Sequence, residues 1–302
     1  MNSTVILKGN ILYTPRPSEF ISIQHGYIIA VDGVVVYCGE SIPPAYADCE
    51  VTDYGDNLII PGFVDTHAHA PQYCNRGLGM DKELLPWLET YTFPEEAKFS
   101  DLDYARLVYG AFIQDLWSNG TTRSILFGTI HKESTLVLME LLQKAGLSAY
   151  VGKVNMDCNS PDFLIEETSQ SLADTKDWLE ASAQFGPLVK PIITPRFVPS
   201  CTSELMDGLG TLSEEYKVPV QSHLSENHGE IDWVGALHPE SPNYTDVYYE
   251  HKLMGRTPTV MAHCIHLSDV EMDCMAETQT MVSHCPYSNV NLSSGIAPIR
   301  KL

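Results

Sequence analysis

Two histidines one residue apart, His67 and His69, are the first residues of this sequence whose types and spacing point to chemistry. They follow an apolar run that contains a Pro-Gly turn, Leu58–Val64. In an extended strand alternate side chains share a face, so both imidazoles would point the same way. Their Cα atoms would lie roughly 6.5–7 Å apart, which lets two ring nitrogens reach one metal ion at about 2.0–2.1 Å. The pair therefore predicts a metal site at the end of a strand.

Further polar residues follow other strand-like runs of the sequence. Histidines end three of these runs, at His223, His263 and His284, and Glu226 stands three residues after the first of them. A single histidine in such a place is more often a hydrogen-bonded core residue than a ligand. One metal site, however, explains all of these placements together.

His67, His69 and His223 would form a three-nitrogen zinc site with an open position for water, whose pKa zinc would lower to about 7. Hydrolysis also requires a carboxylate that takes a proton from the water and returns it to the leaving group. We assign that role to Glu226, and the alternative is an ordinary solvated glutamate in a loop. The pattern thus predicts a hydrolytic metal site.

These side chains can meet only if the strands that carry them end at one edge. From residue 58 onward strand-like runs alternate with helix-like stretches, which is the pattern of successive βα units. The strand-like runs are Phe63–His67, Thr122–Phe127, Ala149–Val154, Val189–Thr194, Pro219–His223, Thr259–His263 and Thr280–His284. The helix-like stretches are Asp101–Asn119, Lys132–Ala145, Ile165–Phe185, Ser203–Tyr216, Thr245–Leu253 and Ser268–Glu277. Seven such units favour an α/β fold with a (β/α)8 TIM-like barrel over residues 61–302, here incomplete, behind a small β domain of residues 1–60.

The small β domain is predicted to contain two hairpins. Val5–Leu7 and Ile11–Tyr13 flank a turn signal and predict the first. The dipeptide Asp32-Gly33 between two apolar runs is the strongest short cue for the second. Ser41–Asp56, with its prolines and polar residues, is predicted to be a connector.

The composition excludes several classes of protein. The 302 residues carry 39 acidic and 18 basic side chains, and the formal net charge of −21 opposes binding to nucleic acid or to an anionic membrane surface. No run of about 18 or more apolar residues would span a membrane, and the N-terminus does not read as a secretion signal. The eight cysteines form no Cys-x-x-Cys pair and are typical of reduced thiols, so we expect a cytoplasmic protein.

Several segments resemble those of a known enzyme family. Pro61–Ala70 is similar to the first barrel strand of the amidohydrolase superfamily, and five further segments resemble its guanine deaminase branch. These segments are Gln72-Tyr73, Leu85–Pro94, Thr194–Phe197, Gln221–Asn227 and Ser283–Asn289. The similarity extends over essentially the whole chain.

The resemblance implies one zinc ion per chain. His67, His69 and His223 would hold it, and an aspartate from an eighth strand would complete the set of ligands. His263 would assist by a hydrogen bond to the water or the substrate, and Glu226 would move protons.

The resemblance also implies the substrate guanine, its conversion to xanthine and ammonia, and a homodimer. Gln72, Arg196 and Phe197 match the residues that hold the purine. The planar fork of Arg196 suits the O6/N7 edge of guanine by its own chemistry. Phe197 would either stack on the ring or fill the barrel mouth, and for Trp87 and Phe93 a core position is favoured over a lid.

Two alternatives stay open. The chain could be another purine, pterin or triazine aminohydrolase. It could also be a truncated, catalytically impaired form that acts only as a structural or interaction protein. The second alternative rests on the end of the sequence at Leu302, after the seventh strand, with no aspartate beyond Asp273.

Overall fold

The computed structural model of the chain describes residues 3–302 and shows an α/β fold with parallel sheets. The chain divides into two compact units, Met1–Phe63 and Val64–Leu302. The strands are β1 (Thr4–Arg16), β2 (Glu19–Val31), β3 (Val34–Gly39), β4 (Val51–Ile59), β5 (Phe63–His69), β6 (Thr121–Phe127), β7 (Ser148–Gly152), β8 (Val154–Asn155), β9 (Val189–Pro191), β10 (Thr194–Pro195), β11 (Val220–Leu224), β12 (Thr259–His263) and β13 (Met281–Ser283). The α-helices are α1 (Leu84–Trp87), α2 (Phe93–Glu96), α3 (Leu102–Ser118), α4 (Lys132–Ala145), α5 (Thr168–Ser182), α6 (Ser203–Tyr216), α7 (His228–Leu237), α8 (Tyr244–Glu250), α9 (Asp269–Glu277) and α10 (Pro286–Asn291).

The first unit contains a four-stranded sheet in the order β3-β2-β1-β4. Asp32 and Gly33 join β2 to β3 with positive φ angles of 51° and 81°, so this predicted hairpin is confirmed. The other predicted hairpin is wrong, because Lys8–Asn10 continue one long strand, β1, that pairs antiparallel with β2. A register shift after Gly9 shows that the turn signal marks a β-bulge.

The predicted connector Ser41–Asp56 is wrong in its last part. β4 occupies Val51–Ile59 and pairs in parallel with β1. It lies at the edge of the sheet and most of its side chains are exposed, so its sequence lacks the apolar alternation that marks a half-buried strand.

The second unit repeats strand and helix, with hydrogen-bonded strand orders β5-β6-β7-β9, β10-β8 and β11-β12-β13. The pairs β6–β7, β7–β9, β11–β12 and β12–β13 are parallel, and a parallel bridge joins Ile193 to Val220 on β11. The hydroxyl groups of Thr66 on β5 and Ser283 on β13 lie 2.6 Å apart. The first and last strands of this unit are therefore side-chain neighbours, which is consistent with a TIM-barrel-like architecture.

Two of the predicted strands are interrupted. Ala149–Val154 divides into β7 and β8, and Val189–Thr194 divides into β9 and β10. Pro191 ends β9 because proline has no amide hydrogen to donate to a strand ladder. Lys153, between β7 and β8, is fully buried and its ammonium group pairs with Glu166 at 2.6 Å.

Short sequence signals determine where the helices that cover these strands begin and end. The Asp101 side chain caps α3 by accepting the backbone amides of Asp103 and Tyr104. Gly146 ends α4 in the left-handed conformation that its position predicts, with φ 72°. The main core packs helices on strands around buried side chains such as Trp178. Within residues 3–302 no helix combines the length and the apolar character needed to cross a membrane.

Gly152, at the end of β7, has no room for a side chain. A Cβ atom there would overlap the Thr194 side chain and stand 2.8 Å from Nε2 of Gln221. We expect Gly152→Ala to lower the free energy of unfolding by roughly 1–3 kcal/mol, the cost of overpacking a core. Urea unfolding measures this change.

Gly110→Ala, on the exposed side of α3, is the matched control. Among residues 3–302 a Cβ atom at this glycine meets open space, so the free energy of unfolding should stay unchanged or rise by up to about 1 kcal/mol. Equal stability of the two variants would contradict the tight strand contact at Gly152.

Candidate metal centre and active-site cavity

Three histidines from two strands meet inside the second unit. His67 and His69 lie on β5 and His223 lies on β11, and one ring nitrogen of each lies within 4.8 Å of the others. The Nε2 atoms of His69 and His223 are 3.0 Å apart. The structure thus brings together the three residues predicted as metal ligands.

The surroundings of the three imidazoles favour their neutral form, which a metal ligand must have. Burial lowers the pKa of each well below its ordinary value, and the neighbouring histidines lower it further. His223 donates from Nδ1 to the carbonyl oxygen of Arg196 at 2.5 Å, which leaves the lone pair on its Nε2. In the described part of the chain His69 Nδ1 is buried without a hydrogen-bond partner. Three ring nitrogens thus converge, and the Nδ1 atom of the His69 ring has no hydrogen-bond partner among the described residues. Such a set of nitrogen ligands fits a zinc ion.

Glu226 is buried, with 3 % of its surface exposed, so the alternative of a solvated loop glutamate is wrong. Its Oε2 lies 3.3 Å from Nε2 of His263, and His263 Nδ1 donates to Oδ1 of Asn289 at 2.8 Å. Burial raises the pKa of Glu226 to about 8 and lowers the pKa of His263. The raised pKa favours the form of the carboxyl group that can donate a proton to a ligand.

The backbone turns sharply where these side chains emerge. Ser225, directly before Glu226, has φ 50°, and His263 and Cys264 have φ 72° and 49°. Left-handed backbone at residues other than glycine costs of order 1–3 kcal/mol each and clusters at ligand sites. The ends of β11 and β12 are therefore strained, and the packed surroundings hold them in place.

Glu230 fixes the segment that carries Glu226. It forms a capping box with Asn227 at the start of α7, and its Oε2 accepts the backbone amide of Glu226 at 3.0 Å. Its Oε1 accepts the hydroxyl group of Tyr244 at 2.7 Å. Burial, followed by the charge of Glu226, raises the pKa of Glu230 to about 7. The sequence prediction contains neither α7 nor Glu230, although the Asn-x-x-Glu spacing after β11 signals both.

A buried ion pair forms another part of the site. Arg196 donates from Nη1 to Oε2 of Glu96 at 2.5 Å and from Nη2 to Oε1 at 3.1 Å. Gln72 donates from Nε2 to the same Oε1 at 3.0 Å. Gln72 and Arg196 are thus neighbours, and their shared partner Glu96 is absent from the sequence prediction. The only local signal for Glu96 is its place just after the segment Leu85–Pro94.

A cavity of about 190 Å³ joins these groups, and all eight predicted site residues line it. Phe197 is buried and its ring meets the edge of Trp233 at a centroid distance of 6.3 Å. Trp87 also lines the cavity, on the continuous helical segment Leu84–Glu96. Phe93 is a core residue, and the Arg196 guanidinium lies 5.1 Å from its ring centroid.

His284 does not join the cluster, because its side chain is exposed. A second set, His67, His263 and Cys285, also brings three ligand atoms within 4.8 Å of one another. Burial raises the pKa of the Cys285 thiol to about 11, which opposes the thiolate form that binds metals. The three-histidine set is therefore the better candidate for a metal centre.

The amidohydrolase family model matches residues 58–302, which hold the whole site, and the chain belongs to this family. Its relatives in the family include guanine deaminases. The guanine deaminase of Dictyostelium discoideum is 51% identical over 253 residues, which are 83% of this chain and 56% of the relative. A probable guanine deaminase of Schizosaccharomyces pombe is 40% identical over 313 residues, 98% of this chain and 59% of the relative.

A solved structure shows the same likeness. The crystal structure of guanine deaminase from C. acetobutylicum, with guanine bound in its active site, superimposes with a TM-score of 0.97 at 52% identity. The match covers 99% of this chain and 71% of that one. The chain spans a little over half the length of the two curated relatives.

Replacing one histidine of the cluster should release the metal ion. We expect His67→Ala or His69→Ala to lower the affinity for zinc by roughly 100-fold or more, because two nitrogens hold the ion less well than three. Zinc content after dialysis and competition with a chelator measure this loss.

His284→Ala is the control, since it removes an exposed histidine at another strand end and should leave the zinc content unchanged. A full zinc complement in His67→Ala and His69→Ala would show that the cluster is not the metal centre.

Proposed function

We propose that this chain binds zinc and catalyses the hydrolytic deamination of guanine to xanthine and ammonia. The observation that carries the proposal is one cavity lined by three convergent histidines, a buried glutamate, a guanidinium group and a side-chain amide. The similarity to guanine deaminases, one of them crystallised with guanine, supports the choice of substrate.

His67, His69 and His223 are the residues that would hold zinc. When bound, zinc lowers the pKa of a coordinated water to about 7. Burial lowers the pKa of the three imidazoles and so favours their neutral form, in which a nitrogen lone pair is available to the metal ion. The carbonyl oxygen of Arg196 fixes the orientation and the tautomer of His223.

Glu226 would move the protons of the reaction. Guanine and water become xanthine and ammonia, so a C–O bond forms, a C–N bond breaks, and protons pass from the water to the departing nitrogen. Glu226 gives its proton to the ring nitrogen beside the reacting carbon and takes one from the attacking water. His263 holds Nε2 at 3.3 Å from Oε2 of Glu226, because Asn289 anchors its other ring nitrogen.

Arg196, Gln72 and Phe197 would hold the purine. The guanidinium N–H groups of Arg196 suit the O6/N7 edge of guanine. Gln72 lies beside it and supplies a second polar group, and Phe197 supplies an apolar wall. This arrangement places recognition and proton transfer in one cavity.

We further propose that the parallel strands are seven units of a (β/α)8 barrel and that the chain acts as a cytoplasmic homodimer. The neighbouring hydroxyl groups of Thr66 and Ser283 support the barrel. The eight free cysteines suit a reducing compartment. The homodimer rests on the resemblance to the family, and light scattering on the purified protein tests it.

The direct test supplies the zinc-loaded protein with guanine, adenine and ammeline in parallel. Xanthine and ammonia should form in equal amounts from guanine, with little turnover of the other two compounds. Preferred turnover of adenine or ammeline would move the assignment to another aminohydrolase. Zinc and guanine binding without any turnover would favour the non-catalytic alternative.

Glu226→Gln should keep zinc and lower turnover by roughly 10²-fold or more, because the amide cannot carry the proton. Zinc content and initial rates separate the two effects. Glu271→Gln is the control: Glu271 is also buried, and its contacts with Ser268 and Thr245 are those of a helix cap. Full activity of Glu226→Gln would remove Glu226 from the proposed mechanism.

Arg196→Lys should raise the KM for guanine by roughly tenfold or more while kcat changes less. Lysine keeps the charge opposite Glu96 but lacks the planar fork that reads two acceptors at once. Initial rates and the melting temperature are measured together. A large fall in melting temperature with an unchanged KM would make Arg196 a structural residue.

A further inference from the structure

The carboxylate of Glu96 lies where the substrate-binding groups and the metal cluster meet. It accepts two hydrogen bonds from Arg196 and one from Gln72, and its Oε1 stands 4.0 Å from Nδ1 of His69. Only 1 % of the residue is exposed. Glu96 thus lies next to three side chains that line the cavity, those of Arg196, Gln72 and His69.

The pairing restricts what Arg196 can offer to a ligand. Both terminal nitrogens are engaged with Glu96, and the central carbon of the guanidinium group lies over the Phe93 ring, 5.1 Å from its centroid, so these contacts limit rotation of the group. Nη1 also lies 3.9 Å from Sδ of Met156, so the N–H groups available to a ligand are those directed at neither Glu96 nor Met156. Arg196 therefore offers a ligand only hydrogen-bond donors in a fixed direction.

The same carboxylate decides which way the Gln72 amide lies. A carboxylate oxygen accepts only from a donor, so the Nε2 end of Gln72 must point to Glu96. The Oε1 end of Gln72 is then left to accept a hydrogen bond from a ligand. Donors from Arg196 and an acceptor from Gln72 match a ring carbonyl next to a ring N–H.

We propose that Glu96 is a positioning residue for specificity: it orients Arg196 and Gln72 so that the cavity selects purines with a carbonyl oxygen beside a ring N–H. This inference rests on the proposed function. Guanine has this lactam edge at O6 and N1–H. 2-Aminopurine keeps the reacting amino group but has neither the oxygen nor the N–H.

The neighbouring glutamate provides a matched control. Glu95 stands on the same helix and is also buried, but its carboxylate pairs with Lys98 at 2.5 Å and with the hydroxyl group of Tyr104. Neither glutamate lines the cavity itself, but the partners of Glu96, Arg196 and Gln72, do line it, whereas the partners of Glu95 do not. If the effect of Glu96→Gln came only from a lost charge or a less stable helix, Glu95→Gln should show the same effect. If it came from lost selection of the ligand, only Glu96→Gln should show it.

The experiment measures the binding of guanine and of 2-aminopurine by calorimetry to zinc-loaded protein. All variants carry Glu226→Gln, which should slow turnover by roughly 10²-fold or more, so that little guanine is consumed during the measurement. Glu96→Gln should weaken guanine binding by roughly tenfold or more, the equivalent of one lost hydrogen bond, and 2-aminopurine binding by less than about threefold. Zinc content should stay at that of the parent, and Glu95→Gln should keep the parent's preference for guanine.

Glu96→Asp keeps the negative charge opposite Arg196 and serves if Glu96→Gln fails to fold. The aspartate side chain is shorter by one methylene group, so its carboxylate lies farther from Arg196 and Gln72 and the preference for guanine should again fall. An unchanged preference in the folded variants, with a parent that binds guanine, would overturn the role of Glu96 and leave the proposed function in place. A parent that binds zinc but neither purine would overturn the proposed function and this inference together.

Discussion

The structure of the site depends on one constraint: a polar group in a buried cavity is stabilised when it finds a partner on another element of the chain, and most of the site's side chains have such a partner. His223 on β11 meets the carbonyl oxygen of Arg196, and His263 on β12 meets Asn289 on α10. Unpaired polar groups in such surroundings cost about 1–3 kcal/mol each. The partners therefore both stabilise the fold and fix the direction of the atoms that remain free.

Burial also gives similar groups different properties. Glu96 and Glu226 are both nearly inaccessible to solvent. Glu96 lies against the guanidinium group of Arg196 and accepts hydrogen bonds from it. The Oε2 atom of Glu226 lies beside the imidazole of His263, and burial raises the pKa of Glu226 to about 8. Two buried carboxyl groups of one site can thus suit different purposes: Glu96 is a fixed acceptor for Arg196 and Gln72, and Glu226 has the raised pKa that suits the proposed transfer of protons.

Those parts of the site that depend on local spacing could be predicted from the sequence. The His67 and His69 pair needs only the two-residue period of a strand, and the Asp32-Gly33 turn needs only its own dipeptide. The contact of Glu96 with Arg196 joins residues 100 positions apart, and no local pattern encodes it. The first predicted hairpin failed for a related reason, because a glycine in a strand gives the same local signal as a turn.

The strained turns after β11 and β12 have a consequence for the durability of the protein. Ser225, His263 and Cys264 adopt a conformation that glycine would adopt at lower cost. Variants selected only for heat resistance would tend to relax these positions first, since relief of backbone strain is a common source of added stability. Relaxed turns would let Glu226 and His263 drift apart. Added heat resistance and the geometry of the candidate site are therefore opposed at the same few residues, and a more stable form of this chain would gain its extra stability at other positions.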